Sequence, residues 1–225
     1  MTTRCAIFIS IRNKATRLPG KSFVELGGLP AVDQLLTRMK RVAAADGIVI
    51  CTSTHPDDAV FEDVAERNAV SCFRGSEEDK LDRYLAAAGE VGAEFVVVVD
   101  GDDVLCDPAQ VGRVITAWKA SAASDAPLDY VVVDHLPVGA TGFGVRVPAL
   151  RRGAELKAAS DPGASGGYFT GAGLFHVAPL GPGDGRRRRP TVLVTPRSPA
   201  AHGSILAGSL LASTASNSSI PSRWG

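Results

Sequence analysis

The sequence predicts an α/β fold with a doubly wound, mostly parallel sheet between two layers of helices. Several short runs are wholly or almost wholly apolar, most completely residues 5–11 and 95–99. Segments with helical spacing of apolar residues lie between these runs, and strands that alternate with helices form parallel sheets. Runs without a polar face belong to strands covered on both sides, as a doubly wound sheet provides.

The strands and helices can be placed in chain order. The predicted strands are residues 5–11, 47–52, 70–73, 95–99 and 130–133. The run at 95–99 is the most apolar, so it is predicted to lie at the centre of the sheet. Helices are predicted after Pro30, after a start at residues 54–58, after the capping-box spacing of Ser76 and Asp79, and after Asp107-Pro108. At residues 54–58, Asp57 and Asp58 would face the positive end of the helix dipole.

Two later segments have weaker patterns. Residues 138–147 are glycine-rich and then alternate in polarity, which predicts a loop and an edge strand near the mouth of a pocket. Tyr168 and Phe169 are predicted to belong to the core.

Composition and charge limit the class of protein. The 225 residues are 45% hydrophobic, which suits one main domain. The 24 Lys and Arg residues balance 24 Asp and Glu residues, whereas a general nucleic-acid-binding protein would have a basic excess. No apolar stretch has the length of a membrane span and no signal-peptide pattern is present, so a cytoplasmic location is expected. The cysteines are far apart and are predicted to be small core residues: Cys5, Cys51, Cys72 and Cys106.

A basic loop, residues 12–21, follows the first strand. It contains four cations and a Pro-Gly turn: Arg12, Lys14, Arg17, Lys21, Pro19 and Gly20. Ligands of open α/β sheets bind just beyond the carboxyl ends of the strands, so this loop is predicted to bind an anion such as a nucleoside triphosphate. The alternative is a solvated basic loop.

An acidic loop, residues 100–103, follows the predicted central strand. Mg²⁺ takes one or two protein carboxylates and completes its octahedron with water and phosphate oxygens, so Asp100 and Asp102 are predicted to hold Mg²⁺. An extended chain would point these two side chains the same way, and Gly101 would let the backbone approach a ligand. The alternative is an ordinary turn rich in Asp and Gly.

Three motifs in this order resemble a known family. Arg12 together with the T-R-L-P-G-K run at 16–21 resembles the signature of sugar cytidylyltransferases, which activate Kdo, sialic acids and related sugars. The F-R-G-S-E-E-D block at 73–79, with Leu81, Arg83 and Tyr84, is similar to the spore-coat polysaccharide branch of that family. The acidic loop with Asp107-Pro108 resembles a further stretch of the same branch. The resemblance covers roughly residues 4–180.

The resemblance implies a Rossmann-like nucleotide-diphospho-sugar transferase fold and a specific reaction. A sugar hydroxyl, expected on an acidic sugar, attacks the α-phosphorus of CTP, pyrophosphate leaves, and a CMP-sugar forms for cell-surface polysaccharide. Arg12, Arg17 and Lys21 would hold the phosphates and stabilise the leaving pyrophosphate. Mg²⁺ would be the cofactor, and a homodimer is expected because relatives are often dimeric.

The resemblance also implies which residues contact the nucleotide or the substrate. The expected binding residues are Lys14, Thr16, Gly20, Ser76, Asp79, Arg83 and Thr141. His135 is a further candidate on the sugar side. For the block at 75–83, an ordinary capped helix with surface charges is the alternative.

The C-terminal segment departs from the family. The predicted boundary separates residues 1–180 from a Ser/Ala/Pro-rich tail at 181–225, whose composition favours disorder. From residue 181 onward, one acid, Asp184, stands against six arginines. Arg197 takes the place of a family aspartate that would be a second metal ligand. The hypotheses are a diverged tail, a disturbed coding sequence, or a basic tail that binds an acidic partner.

Three functions therefore remain open at this stage. The first is an active cytidylyltransferase, and the second is a non-catalytic nucleotide-binding relative that has lost the second metal carboxylate. The third is a nucleotidyltransferase that uses another nucleoside triphosphate or a sugar phosphate. Asp134, after the fifth strand, is the first alternative source of a carboxylate.

Overall fold

The computed structural model describes residues 5–13, 18–122, 124–157, 167–170 and 173–181. The strands are β1 (Cys5–Ser10), β2 (Glu25–Leu26), β3 (Leu29–Pro30), β4 (Gly47–Ser53), β5 (Ser71–Gly75), β6 (Phe95–Asp100), β7 (Tyr130–Val133), β8 (Phe143–Arg146) and β9 (Val177–Leu180). The helices are α1 (Ala31–Met39), α2 (Val60–Arg67), α3 (Lys80–Val91), α4 (Pro108–Ser121), α5 (Val147–Leu156) and α6 (Gly167–Thr170). Short 3-10 turns lie at Lys21–Phe23 and Pro56–Asp58.

Seven of the strands form one mixed, mostly parallel sheet, and β2 and β3 form a separate antiparallel pair. The order is β5-β4-β1-β6-β8-β7-β9. β1 is parallel to both β4 and β6, β4 is parallel to β5, and β7 is parallel to β9. Only β8 runs antiparallel to its neighbours, β6 and β7. The predicted fold class is confirmed, and the apolar run at 95–99 does form the central strand.

Helices cover both faces of the sheet, and β1, β4 and β6 bury residues on both of these faces. Along β1, Ile7 and Ile9 pack with α1, α2 and α4, whereas Phe8 packs with α3 and α5. Burying one such side chain stabilises the fold by about 1.5–3 kcal/mol. Phe169 is also buried, as predicted, and the side chain of Tyr168 lies outside the described residues.

The cysteines are free thiols, three of them buried and Cys72 partly buried. Burial raises the pKa of Cys5 and of Cys106 to about 12 in each case, so these thiols stay protonated near neutral pH. Their position agrees with the predicted role as small core residues. Within the described part of the chain, no helix has the length and apolarity that crossing a membrane requires.

The prediction of an edge strand within 138–147 is wrong, because β8 lies inside the sheet between β6 and β7. The glycines that favoured an edge are what permits the interior position. A Cβ on Gly144 would come within 2.3 Å of Phe95 Cζ, and one on Gly142 within 2.4 Å of the Val98 carbonyl oxygen. The backbone of β8 therefore packs more closely on β6 than a side chain would allow.

Two predicted helix starts also differ from the structure. α3 begins at Lys80 with Asp79 as its N-cap, and the Asp79 carboxylate accepts the backbone N–H groups of Leu81 and Asp82. Ser76 does not cap the helix, and its hydroxyl accepts the Asp79 N–H at 3.0 Å in the turn before it. At residues 54–58 only one 3-10 turn forms, and α2 begins at Val60. The predicted cap of α4 by Asp107 is present.

Candidate active site

The site lies where the strand order reverses. From β1 the chain continues to β4 and β5 on one side, and it later returns to β6 on the other side. Ser10 and Asp100, the last residues of β1 and β6, are paired. The carboxyl ends of these two strands are therefore adjacent. Such a switch point opens a crevice in which ligands of open α/β sheets bind.

The basic and acidic loops meet in this crevice. Lys21 Nζ lies 2.6 Å from Asp102 Oδ2, and both side chains are between a quarter and a third exposed. Gly20, just before the 3-10 turn of Lys21, has φ +69°, a left-handed conformation that glycine adopts without strain. A partly exposed ion pair of this kind contributes about 0–1 kcal/mol to stability, so its main consequence is the placement of a cation beside a carboxylate.

Arg12 links the basic loop to the turn between β5 and α3. Its Nη1 donates to the Glu77 carbonyl oxygen at 3.0 Å. Arg83 Nη1 donates to the preceding carbonyl, that of Ser76, at 2.7 Å. Two guanidinium groups thus hold consecutive carbonyls of the turn at residues 76–79. Lys14, Thr16 and Arg17 of the basic loop lie outside the described residues.

Asp58 anchors the start of the basic loop. Its buried carboxylate accepts the Asn13 backbone N–H at 2.6 Å, and also the Ser53 backbone N–H and hydroxyl. The sequence reasoning assigned Asp58 to a helix dipole and missed this role. The available signal was an acid shortly after a strand, in the region where the loops converge.

The acidic loop is a turn rather than an extended chain. Asp103 N–H donates to the Asp100 carbonyl at 2.9 Å, so alternation does not determine the directions of Asp100 and Asp102. Gly101 packs closely on the neighbouring strand end. A Cβ at this position would come within 2.6 Å of Ile11 Cβ, so glycine lets the acidic loop pack on Ile11, and the predicted approach of this backbone to a ligand stays a prediction.

The acidic loop has an oxygen donor set that fits Mg²⁺. Asp100 and Asp102 supply hard carboxylate ligands, and Mg²⁺ needs only one or two of these. In the described residues, no group of three or more His, Cys, Asp or Glu side chains is arranged to hold a metal, so Asp134 does not complete such a group. Asp134 follows β7, which β8 separates from β6. Arg197 and the rest of the chain from residue 182 lie outside the described residues.

The loop before β8 reaches the acidic loop from the other side. Gly139 has φ +83°, and a Cβ there would come within 2.7 Å of Asp103 Oδ1. Asp107 N–H donates to the Ala140 carbonyl at 2.8 Å. These contacts bring the segment that contains Thr141 to the acidic loop. His135 is exposed and has φ +63°.

Arg83 is fully buried, which the sequence did not indicate. Its Nη1 donates to the Ser76 carbonyl, whereas its Nε and Nη2 have no hydrogen-bond partner among the residues that the structure describes. Its guanidinium carbon lies 5.8 Å from the centre of the Tyr84 ring. The Tyr84 hydroxyl lies 2.5 Å from the hydroxyl of Ser10 at the end of β1, and burial raises the pKa of Tyr84.

Asp79 is held at the start of α3 from two directions. Burial raises the pKa of this carboxyl, but the hydrogen bond from Lys157 and the backbone N–H bonds of Asp82 and Leu81 lower it more. The pKa of Asp79 therefore lies below its ordinary value. Because both of its oxygens have partners, Asp79 supports the turn at 76–79, and its predicted contact with a ligand stays a prediction.

Comparison with known proteins gives a consistent result. The cytidylyltransferase family matches residues 6–142. The spore coat polysaccharide biosynthesis protein SpsF of Bacillus subtilis (strain 168) is 30% identical over 157 residues, which cover 68% of this chain and 63% of SpsF. The 3-deoxy-manno-octulosonate cytidylyltransferase of Anaeromyxobacter sp. (strain K) is 30% identical over 116 residues, 51% of this chain and 47% of the relative. The chain thus spans less than two thirds of the length of these relatives.

A solved structure supports the fold. The structure of CMP:2-keto-3-deoxy-manno-octonic acid synthetase complexed with CTP matches with a TM-score of 0.62, over 80% of this chain and 90% of the other. At 15% sequence identity, this likeness concerns the fold alone.

Proposed function

Because the chain belongs to the cytidylyltransferase family, we propose that it transfers CMP from CTP to the hydroxyl of a sugar and releases pyrophosphate. The observation that carries the proposal is the Lys21–Asp102 pair, 2.6 Å apart at the switch point of the sheet. A phosphate-binding cation beside a metal-binding carboxylate is the arrangement that a nucleoside triphosphate with its metal ion requires.

In the proposed reaction, the acceptor hydroxyl forms a bond to the α-phosphorus of CTP, and the bond from this phosphorus to the oxygen of pyrophosphate breaks. Lys21, Arg12 and Arg17 bind the phosphates and offset the charge that develops on the leaving pyrophosphate. Asp100 and Asp102 would hold Mg²⁺, which neutralises phosphate charge and lowers the pKa of the attacking hydroxyl. The hydroxyl proton leaves to solvent.

The turn at 76–79 is the proposed base side of the site. It lies beyond β5, which β4 and β1 separate from β6. Neighbouring strands are about 4.8 Å apart, so the three spacings amount to about 14 Å, which a nucleotide with its phosphates near Lys21 can span. The unpaired Nε and Nη2 of Arg83 form one edge of the guanidinium. Both atoms are buried, so the turn at 76–79 would have to open for this edge to meet two adjacent acceptors, which N3 and O2 of cytosine provide and which uracil, with its N3–H donor, does not.

The acceptor is proposed to be an acidic sugar, bound beside Thr141 and His135. The match to a 3-deoxy-manno-octulosonate cytidylyltransferase supports an acidic acceptor, and the match to SpsF supports a role in polysaccharide synthesis. In the strand order, β5 and β8 lie on opposite sides of β6. The turn at 76–79 follows β5, whereas the loop that carries Thr141 precedes β8 and contacts the acidic loop from there. CTP and sugar would therefore approach the metal carboxylates from opposite sides.

A pyrophosphate-release assay tests the proposal. CTP, UTP, ATP and GTP would each be combined with 3-deoxy-manno-octulosonate or N-acetylneuraminate and Mg²⁺, with an EDTA control. We expect release with CTP and at least one acidic sugar, at a rate that the divergent C-terminal segment lowers. A rate of about 1 s⁻¹ or faster, typical of enzymes, would argue against Arg197 occupying a metal-ligand position. Release with another triphosphate alone would instead identify a different nucleotidyltransferase.

The second candidate is a non-catalytic nucleotide-binding protein. It rests on the resemblance by which Arg197 takes the place of a family aspartate that would be a metal ligand. This candidate predicts that CTP binds without pyrophosphate release. In that case Arg197→Asp, which restores the family's acid, should raise turnover, and an unchanged rate would argue against Arg197 occupying a metal-ligand position.

A further inference from the structure

Asp58 is a buried carboxylate that the reaction does not use directly. Its Oδ1 accepts the Asn13 backbone N–H at 2.6 Å, and its Oδ2 accepts the Ser53 N–H at 3.3 Å and the Ser53 hydroxyl. The residue is 0% exposed. Among the described residues, no Lys, Arg or His forms an ion pair with it, so these hydrogen bonds offset the cost of burying its charge.

These hydrogen bonds join three segments that converge at the site. Ser53 is the last residue of β4, Asp58 ends the 3-10 turn after it, and Asn13 directly follows Arg12. The Asn13 side chain adds a second bond, from Nδ2 to the Asp57 carbonyl at 3.2 Å. The chain leaving β1 is therefore held by backbone and side chain immediately after Arg12.

We propose that Asp58 is a positioning residue for the nucleotide site, acting through Asn13 to fix Arg12 and the start of the basic loop. The inference rests on the function proposed above, because it assumes that the basic loop binds the triphosphate. A loop that is ordered before its ligand arrives loses less conformational freedom on binding. A hydrogen bond from a backbone amide to a charged acceptor is also stronger than a neutral one.

Asp33 provides a matched control. It is also a buried carboxylate, 7% exposed, and it accepts hydrogen bonds from Arg67 and Asn68. Those bonds join α1 to the end of α2 and do not involve the basic or the acidic loop. An Asn substitution at either position keeps the side-chain shape, removes the charge and leaves one oxygen acceptor where there were two.

The experiment compares the wild-type chain, Asp58→Asn and Asp33→Asn by calorimetric titration with CTP and Mg²⁺ and by thermal unfolding. Both variants should have lowered melting temperatures. Only Asp58→Asn should lose CTP affinity, by about 10- to 100-fold, because one amide oxygen cannot accept from both Asn13 and Ser53. Wild-type CTP affinity in Asp58→Asn, or an equal loss in both variants, would overturn the inference.

If the wild-type chain does not bind CTP at all, the nucleotide site itself is wrong and both proposals are rejected. If it binds CTP but releases no pyrophosphate, only the transfer reaction is rejected, and the comparison of the two variants still tests Asp58. If Asp58→Asn does not fold, Asn13→Ala tests the same anchor from the loop side by removing the bond to the Asp57 carbonyl. Asn13→Ala should bind CTP about three- to tenfold more weakly with an unchanged melting temperature. Unchanged CTP affinity in this variant would also reject the role of the anchor.

Discussion

The two halves of the sheet contribute to the site in different ways. In the half formed by β5, β4, β1 and β6 all strands are parallel, so four carboxyl ends and the loops after them lie at one edge. In the other half, β8 runs backward, so its amino end lies at that edge and the loop before it enters the site. The parallel half thus carries the charged loops, whereas the mixed half presents a glycine-rich loop.

This difference predicts that substitutions in the two halves affect different steps of the reaction. Substitutions in the parallel half should change CTP binding and turnover, because that half carries the cations and the carboxylates. Substitutions in the mixed half should change only the use of the acceptor sugar. Each of the following variants either separates the two halves or shows that they act as one.

The largest effect is expected for Asp102→Asn. An amide keeps the shape of the side chain and removes the charge that holds a hard cation, so turnover should fall by at least about 100-fold. Pyrophosphate release would be measured across a Mg²⁺ titration, with thermal unfolding as the check that the fold is intact. Unchanged activity at every Mg²⁺ concentration would remove Asp102 from the proposed metal ligands.

The next effect is expected for Arg17→Ala, which the sequence alone places in the triphosphate site. Removal of one charged phosphate contact should weaken CTP binding by about 1.5–3 kcal/mol. Arg41→Ala is the control, because Arg41 is an exposed arginine after α1. Calorimetry that shows equal CTP affinity in the two variants would contradict the role of Arg17.

Arg83→Met is expected to change the choice of base more than stability. The variant removes a buried guanidinium with two unpaired nitrogens, and replacing a buried charge by an apolar side chain often costs little. The ratio of kcat/KM for CTP to that for UTP should fall by about 5- to 150-fold. This factor corresponds to a free energy of about 1–3 kcal/mol, the usual value of a bidentate base contact. An unchanged ratio would show that Arg83 acts only by holding the Ser76 carbonyl.

The smallest effect is expected for Thr141→Ala, in the mixed half. Its hydroxyl donates locally to the Gly142 carbonyl at 3.1 Å, so little stability should be lost. The KM for the acceptor sugar should rise about fivefold, with CTP affinity unchanged. This factor corresponds to about 1 kcal/mol, the net value of one hydrogen bond. A loss of CTP affinity here would show that the two halves do not act separately.

Much of the parallel half could be predicted from the sequence, because β1, β4 and β6 are buried on both faces and leave a strong apolar signal. β1 and β6 and the cap of α4 by Asp107 follow from such local patterns. β8 could not be placed in this way. Its glycines indicate a loop or an edge until the close packing of Phe95 against Gly144 is known.

The same limit applies to the site. The sequence by itself determined which residues carry charge and that they follow buried strands, since both properties are local. The tertiary structure alone decided which of them meet: Lys21 and Asp102 are 81 positions apart, and Asn13 and Asp58 are 45 positions apart. It also decided that Asp58 and Arg83 are buried. Burial and long-range pairing depend on the order and direction of strands, and a local pattern of residues does not contain either.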